Sequence, residues 1–168
     1  MISRRLVATS LILLAVLSFA ADREPAPRFN AKTMSGETFT NASVKGKVVL
    51  FQFWATWCQY CRAEQSVVDK LQKEFADKGL IVLAVDVAES KKKVKQYLQE
   101  NPRDVRIVLT EDTNLAAMYQ ATQYPIYVVV DRDGNIVAQQ NGAAGERALR
   151  SLLRRAGLES AEQKQESE

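Results

Sequence analysis

The chain has 168 residues, of which 46% are hydrophobic and 26% charged; it contains two cysteines and no histidine, and its net charge is +3. This length fits one domain with a sizeable core. The small net charge argues against a nucleic-acid partner. Two cysteines without histidine exclude a structural zinc site, which needs about four nitrogen or sulfur ligands. We therefore expect no metal and no cofactor.

The N-terminal residues have the pattern of an export signal. Arg4 and Arg5 precede an uncharged apolar run at residues 6–21, and the small side chain of Ala20 suits a signal peptidase. We expect residues 1–20 to be a signal peptide cleaved after Ala20, or else an uncleaved membrane anchor. The apolar run is shorter than the about 20 residues that a spanning helix needs. The expected location is the bacterial periplasm or the outer face of the cytoplasmic membrane.

The hydrophobic pattern predicts one domain, at residues 29–157, between a stiff linker at 21–28 and a polar tail at 158–168. Short apolar runs predict strands, and apolar residues recurring at helical spacing predict helices. The predicted elements are a hairpin at 29–40, a strand at 48–54, a helix ending at Gly79, a strand at 80–87, a helix at 90–100, a strand at 105–109, a short helix at 113–119, a hairpin of strands 126–130 and 136–140, and a helix at 146–156.

This order of elements predicts an α/β fold with a mixed sheet covered by helices on both faces. The strand at 48–54 is apolar at nearly every position, which is typical of a central strand buried on both sides. The last helix is expected to turn its leucines inward and its arginines, Arg150 among them, largely outward.

Both cysteines lie in one motif, Trp57-Cys58-Gln59-Tyr60-Cys61, directly after the strand at 48–54. The pattern places Cys58 at a helix N-terminus, where peptide dipoles and free N–H groups favour negative charge. In such motifs the thiol pKa falls from about 8.5 to roughly 3.5–7.5. Cys61 lies one turn further on, close enough to displace a mixed disulfide. The motif therefore predicts that Cys58 attacks and Cys61 resolves.

An inert disulfide is the alternative interpretation of this motif. A bridge across two intervening residues closes a very short loop and removes little entropy from the unfolded chain. Structural stabilisation would therefore be small, and redox activity is favoured. The placement of the motif between a buried strand and a helix carries more weight than the spacing alone.

Three blocks of sequence carry a family resemblance. They are Gly46-Lys47-Val48-Val49-Leu50, then Phe53-Trp54-Ala55-Thr56-Trp57-Cys58-x-x-Cys61-Arg62-x-Glu64, then a block from Tyr119 through Pro125 to Asp131-Arg132-Asp133-Gly134. With these blocks the chain resembles the thioredoxin superfamily, specifically the exported TlpA/ResA-type thiol–disulfide oxidoreductases. The resemblance covers about residues 29–156. It implies a thioredoxin-like three-layer sandwich with an added N-terminal β-hairpin.

The resemblance implies further site residues. Pro125 falls where the family has a cis-proline facing the disulfide, so that Tyr124 and Pro125 would present backbone to a substrate strand, and Trp57 would shield the sulfurs. Glu64 matches an acidic residue that this subfamily keeps near the cysteines. A partly desolvated carboxyl there would have a raised pKa and could shuttle the proton of Cys61. The alternative is an ordinary first-turn glutamate favoured by the helix dipole. We expect Glu64→Gln to leave the fold almost unchanged.

The chain also departs from the family pattern. Gln52 stands where thioredoxins proper place a buried aspartate, which makes Glu64 the remaining candidate for a proton acceptor. Gln59 and Tyr60 replace a pair that usually ends in proline. The acidic residue that follows the cis-proline in cytochrome c maturation members is missing, which argues against that particular role.

The sequence thus predicts an exported, monomeric thiol–disulfide oxidoreductase. Its partners would be protein thiols and disulfides, together with a membrane or soluble electron donor. The alternative from another class is a redox-silent thioredoxin-fold module that holds extended peptides beside Pro125.

Overall fold

The computed structural model describes residues 23–160, which form a seven-stranded mixed sheet with helices on both faces. The predicted signal peptide or anchor at 1–20 and the end of the predicted tail lie outside the described residues. In chain order the elements are β1 (Asn30–Thr33), β2 (Thr38–Thr40), β3 (Val48–Trp54), α1 (Gln59–Phe75), β4 (Leu80–Asp86), α2 (Lys91–Glu100), β5 (Arg106–Thr113), α3 (Leu115–Met118), β6 (Ile126–Val130), β7 (Ile136–Asn141) and α4 (Gly145–Arg155). Within residues 23–160 no helix is long and apolar enough to cross a membrane.

The strand order is β2-β1-β5-β4-β3-β6-β7. Strands β3, β4 and β5 are parallel, whereas β6 and β7 on one side and β1 and β2 on the other are added in antiparallel fashion. Parallel neighbours need crossover connections, which α1 and α2 supply. The predicted α/β thioredoxin-like fold with an N-terminal hairpin is confirmed.

Strand β3 lies in the middle of the sheet, and all of its residues are buried. Because successive side chains of a strand point to opposite faces, β3 contributes to two separate cores. Val48, Leu50 and Trp54 pack on the side covered by α1, α2 and α4. The alternate residues pack on the side covered by α3 and the N-terminal segment. These two cores make the three layers of the fold.

Two details differ from the sequence prediction. Strand β5 continues beyond the predicted end at residue 109 to Thr113, because Thr113 pairs with Ala31 of β1. The expectation that Arg150 lies largely outward is wrong. Its side chain is 15% exposed, and its guanidinium binds both Glu74 of α1 and Glu146 of α4, so it joins the two helices.

The segments on either side of the predicted domain also contact it. Pro25 forms a bridge with Asn135, and the guanidinium of Arg23 donates to the Asp131 carboxylate at 3.0 Å. The N-terminal segment, expected to be a linker, is thus fastened to the β6–β7 turn. At the other end Leu158 is 1% exposed and belongs to the core, so the packed chain continues into the predicted tail.

Candidate active site

The two cysteines lie at the junction of β3 and α1, where the chain leaves the centre of the sheet. Cys58 is the N-cap of α1, and its sulfur accepts a hydrogen bond from the backbone N–H of Cys61 at 3.1 Å. The two sulfurs form a disulfide. Cys58 keeps 5% exposure and Cys61 none. A nucleophile or a partner sulfur therefore meets Cys58 first.

The loop before β6 comes to the same end of the sheet. The Tyr124–Pro125 peptide bond is cis, as the resemblance implies. The ring of Tyr124 contacts the ring of Trp57 edge to face, with 5.9 Å between their centroids. Trp57 and Tyr60 are the only exposed large hydrophobic side chains among residues 23–160, at 63% and 66%. The structure thus brings together five predicted site residues and adds Tyr60 to the surface around them; the five are Trp57, Cys58, Cys61, Tyr124 and Pro125.

Glu64 has a role in the fold that the sequence did not reveal. Its side chain is buried, and its Oε1 accepts hydrogen bonds from the backbone N–H of Ala144, at 2.8 Å, and of Gly145. Those N–H groups belong to the N-terminus of α4, whose own N-cap residue is an alanine without a capping side chain. A carboxylate at a helix N-terminus stabilises the helix through these donors and the dipole. Glu64 of α1 therefore caps α4, and we expect its replacement to lower stability even where the fold itself is kept.

A chain of buried, hydrogen-bonded side chains continues from Glu64 through Tyr127, which packs in the same core as the two cysteines. The hydroxyl of Tyr127 donates to Glu64 Oε2 at 2.7 Å, and the Gln52 amide donates to the Tyr127 oxygen at 3.4 Å. Burial and the Glu64 carboxylate hold the pKa of Tyr127 well above its usual value. The hydroxyl therefore stays protonated and serves as a neutral donor.

An arginine lies at the other end of this chain. Arg103, with 1% of its side chain exposed, donates from Nη2 to Gln52 Oε1 at 3.2 Å and from Nε to the Asp69 carboxylate at 2.8 Å. Its guanidinium lies 5.7 Å from the ring of Trp54. Gln52, at the position of the aspartate of thioredoxins proper, is thus fixed between a tyrosine and an arginine. Arg103 follows Pro102 in a polar stretch, and nothing in that stretch indicates burial.

Two further acidic residues lie beside the turn that carries Cys58. Asp86, the last residue of β4, is fully buried, and Glu89 accepts hydrogen bonds from the N–H of Thr56 at 2.5 Å and its hydroxyl at 2.7 Å. Burial and the neighbouring Glu89 raise the pKa of Asp86 to about 8. Bonds from Lys93 and Thr56 outweigh desolvation and lower the pKa of Glu89 to about 2. This pair was not predicted from the sequence, where its one signal is a lone aspartate at the end of an apolar strand.

A Cys-x-x-Cys disulfide at the N-terminus of the helix that follows the central strand defines a thioredoxin-fold thiol–disulfide oxidoreductase. The sequence profile of the AhpC/TSA family matches residues 23–139, and the chain belongs to this family.

Relatives of known class agree with this assignment. The thioredoxin-like protein YneN of Bacillus subtilis (strain 168) is 40% identical over 115 residues, 67% of this chain and 67% of the relative. The thiol–disulfide oxidoreductase ResA of Bacillus cereus is 26% identical over 143 residues, 82% of this chain and 83% of ResA. The crystal structure of a thiol:disulfide interchange protein from Chlorobium tepidum TLS has a TM-score of 0.71 at 28% identity, covering 81% and 97% of the two chains. The chain is thus a thioredoxin-like thiol–disulfide oxidoreductase.

Replacing Glu64 tests its role as the cap of α4. We expect Glu64→Gln to lower the free energy of unfolding by about 1–2 kcal/mol, because the amide keeps an acceptor but loses the charge that faces the helix N-terminus. Urea unfolding of the oxidised protein measures this loss. Glu100→Gln at the exposed end of α2 is the matched control and should leave the midpoint unchanged. Identical midpoints for the wild type and Glu64→Gln would refute the capping role.

Proposed function

We propose that this chain is an exported oxidoreductase that exchanges disulfides with protein clients through Cys58 and Cys61. The observation that carries the proposal is the position of Cys58, which is the N-cap of α1 and the more exposed of the two cysteines. At this position the free N–H groups and the helix dipole stabilise a thiolate. Cys61, one turn inside the helix, is protected until the first exchange has occurred.

In the reducing direction, the Cys58 thiolate attacks one sulfur of a client disulfide. A mixed disulfide forms, and the second client sulfur leaves as a thiolate. Cys61, after losing its proton, then attacks the sulfur of Cys58 and releases the first client sulfur. Two electrons pass to the client, and the protein is left with the Cys58–Cys61 disulfide. A membrane or soluble donor of two electrons must then reduce it again.

The surface around Cys58 suits an extended segment of a client protein. Tyr124 and Pro125 are proposed to offer backbone to such a segment, as strand addition to an exposed edge does in other recognition modules. Trp57 and Tyr60 stand exposed on either side of Cys58 in the sequence and supply apolar contact area. We assign the clients to proteins whose cysteine-containing segments carry apolar side chains.

Glu64 and the N-terminal residues complete the proposal. Glu64, one helical turn past Cys61 on the buried side of α1, is proposed to tune the protonation of the dithiol. Export rests on the arginines and the apolar run at residues 6–21. We place the mature domain as a monomer in the periplasm or at the outer face of the cytoplasmic membrane, either free after cleavage or held by this run.

Turnover of insulin disulfides with dithiothreitol tests the proposed function directly. The wild type should accelerate reduction, and Cys58→Ser should abolish the acceleration because no attacking thiolate remains. Cys61→Ser should lose turnover but accumulate a mixed disulfide with the client, visible on a non-reducing gel. A wild-type rate equal to that of the double serine variant would instead favour a redox-silent peptide-binding module.

Removing the Tyr60 ring tests the client surface. We expect Tyr60→Ala to raise the KM for a protein disulfide by about tenfold, since exposed aromatic side chains often contribute more than about 1 kcal/mol to an interface. The rate with a small aromatic-free disulfide should not change. Glu100→Ala, on an exposed part of α2, is the control. An unchanged KM for the protein substrate would remove Tyr60 from the recognition surface.

A further inference from the structure

The carboxylate of Asp86 is enclosed without a conventional donor. The residue is fully buried, and among residues 23–160 neither of its side-chain oxygens accepts a hydrogen bond from an N–H or a hydroxyl. A buried charge without a partner is strongly disfavoured, so the group is stable there only as the neutral acid. As an acid it is itself a donor, and the carboxylate of Glu89, the neighbouring group that raises its pKa, is available as the acceptor.

Glu89 connects Asp86 with the turn that precedes Cys58. One of its oxygens accepts from the Thr56 N–H at 2.5 Å and the other from the Thr56 hydroxyl at 2.7 Å. The N–H of Val87, directly after β4, donates to the Trp54 carbonyl at 3.0 Å. This bond holds the end of β4 against the end of β3. The acid pair and Thr56 therefore form one cluster behind the turn at residues 55–58.

The polar groups around the pair come from three parts of the fold. Lys93 of α2 binds Glu89 at 2.5 Å. Burial, and after it the charge that Asp86 carries once ionised, raises the pKa of the Tyr124 phenol in the loop before β6. Thr110 of β5 donates to the backbone oxygen of Asp86 at 2.7 Å, which leaves the carboxyl group itself to Glu89. Among residues 23–160, Lys93 is thus the cation that faces the two carboxyl groups, a balance that favours one shared proton.

We propose that Asp86 and Glu89 share a proton and act as positioning residues for the active-site turn, so that loss of this proton weakens the hold on Thr56 and slows the reaction of Cys58. The proposal rests on Cys58 being the attacking thiol. No atom of the pair takes part in the disulfide exchange itself. Its effect is geometric: with both groups ionised, two like charges in an enclosed space repel each other, and Glu89 moves from Thr56.

The pH range in which the pair loses its proton follows from the direction of the two pKa shifts. The folded-state pKa of Asp86, about 8, lies far above its ordinary value of 3.8. Between these two values the folded protein binds more protons than the unfolded one, so this group makes stability fall as pH rises. Glu89, with its pKa lowered to about 2, stays ionised over this range and holds Thr56. Loss of the Asp86 proton, and with it the weaker hold of Glu89 on Thr56, is therefore expected as pH rises through about 8.

Asp86→Asn tests the proposal because asparagine can still donate to Glu89 but does not titrate. The measurement is the alkylation rate of Cys58 in the reduced protein at each pH. The rate of the wild type is divided by that of the variant, because the ratio removes the pH dependence that comes from ionisation of the thiol. We expect this ratio to fall about tenfold between pH 7 and pH 9, as the protonated fraction of a group with a pKa near 8 does. Asp77→Asn, exposed after α1, should follow the wild type throughout.

A second measurement uses the oxidised protein and needs no thiol reactivity. The urea midpoint of the wild type should fall from pH 6 to pH 9, whereas the midpoint of Asp86→Asn should stay level. In Glu89→Gln the midpoint should begin to fall at a lower pH, because the neighbouring negative charge that raises the pKa of Asp86 is gone. A constant rate ratio would overturn the positioning role, whatever the urea midpoints show. If the reduced wild type proves inert towards alkylation and insulin alike, the proposed function fails, while the midpoints still report on the acid pair.

Discussion

The fold depends on a constraint at β3, which has a hydrogen-bonded strand on each side and an apolar core on each face. Because both edges and both faces of β3 are covered, a site next to this strand can form only at its end, where the chain leaves the sheet. Three chain segments meet there: the turn at residues 55–58, the end of β4 at Asp86, and the start of β6 at Ile126, which pairs with Phe53. The reactive sulfurs, the cis-proline loop and the acid pair are neighbours because their strands are neighbours.

Because this end of β3 is enclosed, charged groups near the disulfide are buried and need partners or must become neutral. Two buried charged groups near the disulfide, Glu64 and Arg103, have hydrogen-bond partners that offset the cost of burial. Glu64 caps α4, and Arg103 binds Asp69 and Gln52. Asp86 instead avoids a buried charge by staying protonated. Gln52 places a neutral amide where thioredoxins proper have an acid, so the acidic groups lie around the central strand rather than on it.

The sequence was sufficient where the signal is local. The apolar run of β3, the cysteine spacing and the helical periodicity of α1 each lie within a few residues and predict the core of the site. The missed features are all long-range. Thr113 extends β5 because Ala31 pairs with it, and Arg150 turns to Glu74 on another helix. No local pattern contains such partners.

Glu64 shows how a correct choice of residue can come with an incomplete account of its role. Its position one turn past Cys61 indicated a place near the thiols, but its contacts with Ala144 and Gly145 depend on where α4 packs. For Asp86 even the residue was missed, because an aspartate at a strand end is more often exposed. Only the folded chain shows that Asp86 is buried and that Glu89, three residues further on, binds Thr56.

The central claim is that Cys58 reacts because it lies at the open end of α1, whereas Cys61 is enclosed. Alkylation of the reduced protein with limiting iodoacetamide from acid to neutral pH, followed by peptide mapping, measures the reactivity of each sulfur. We expect Cys58 to be modified first, and already below the ordinary thiol pKa of about 8.5. Preferential modification of Cys61 at neutral pH would contradict it.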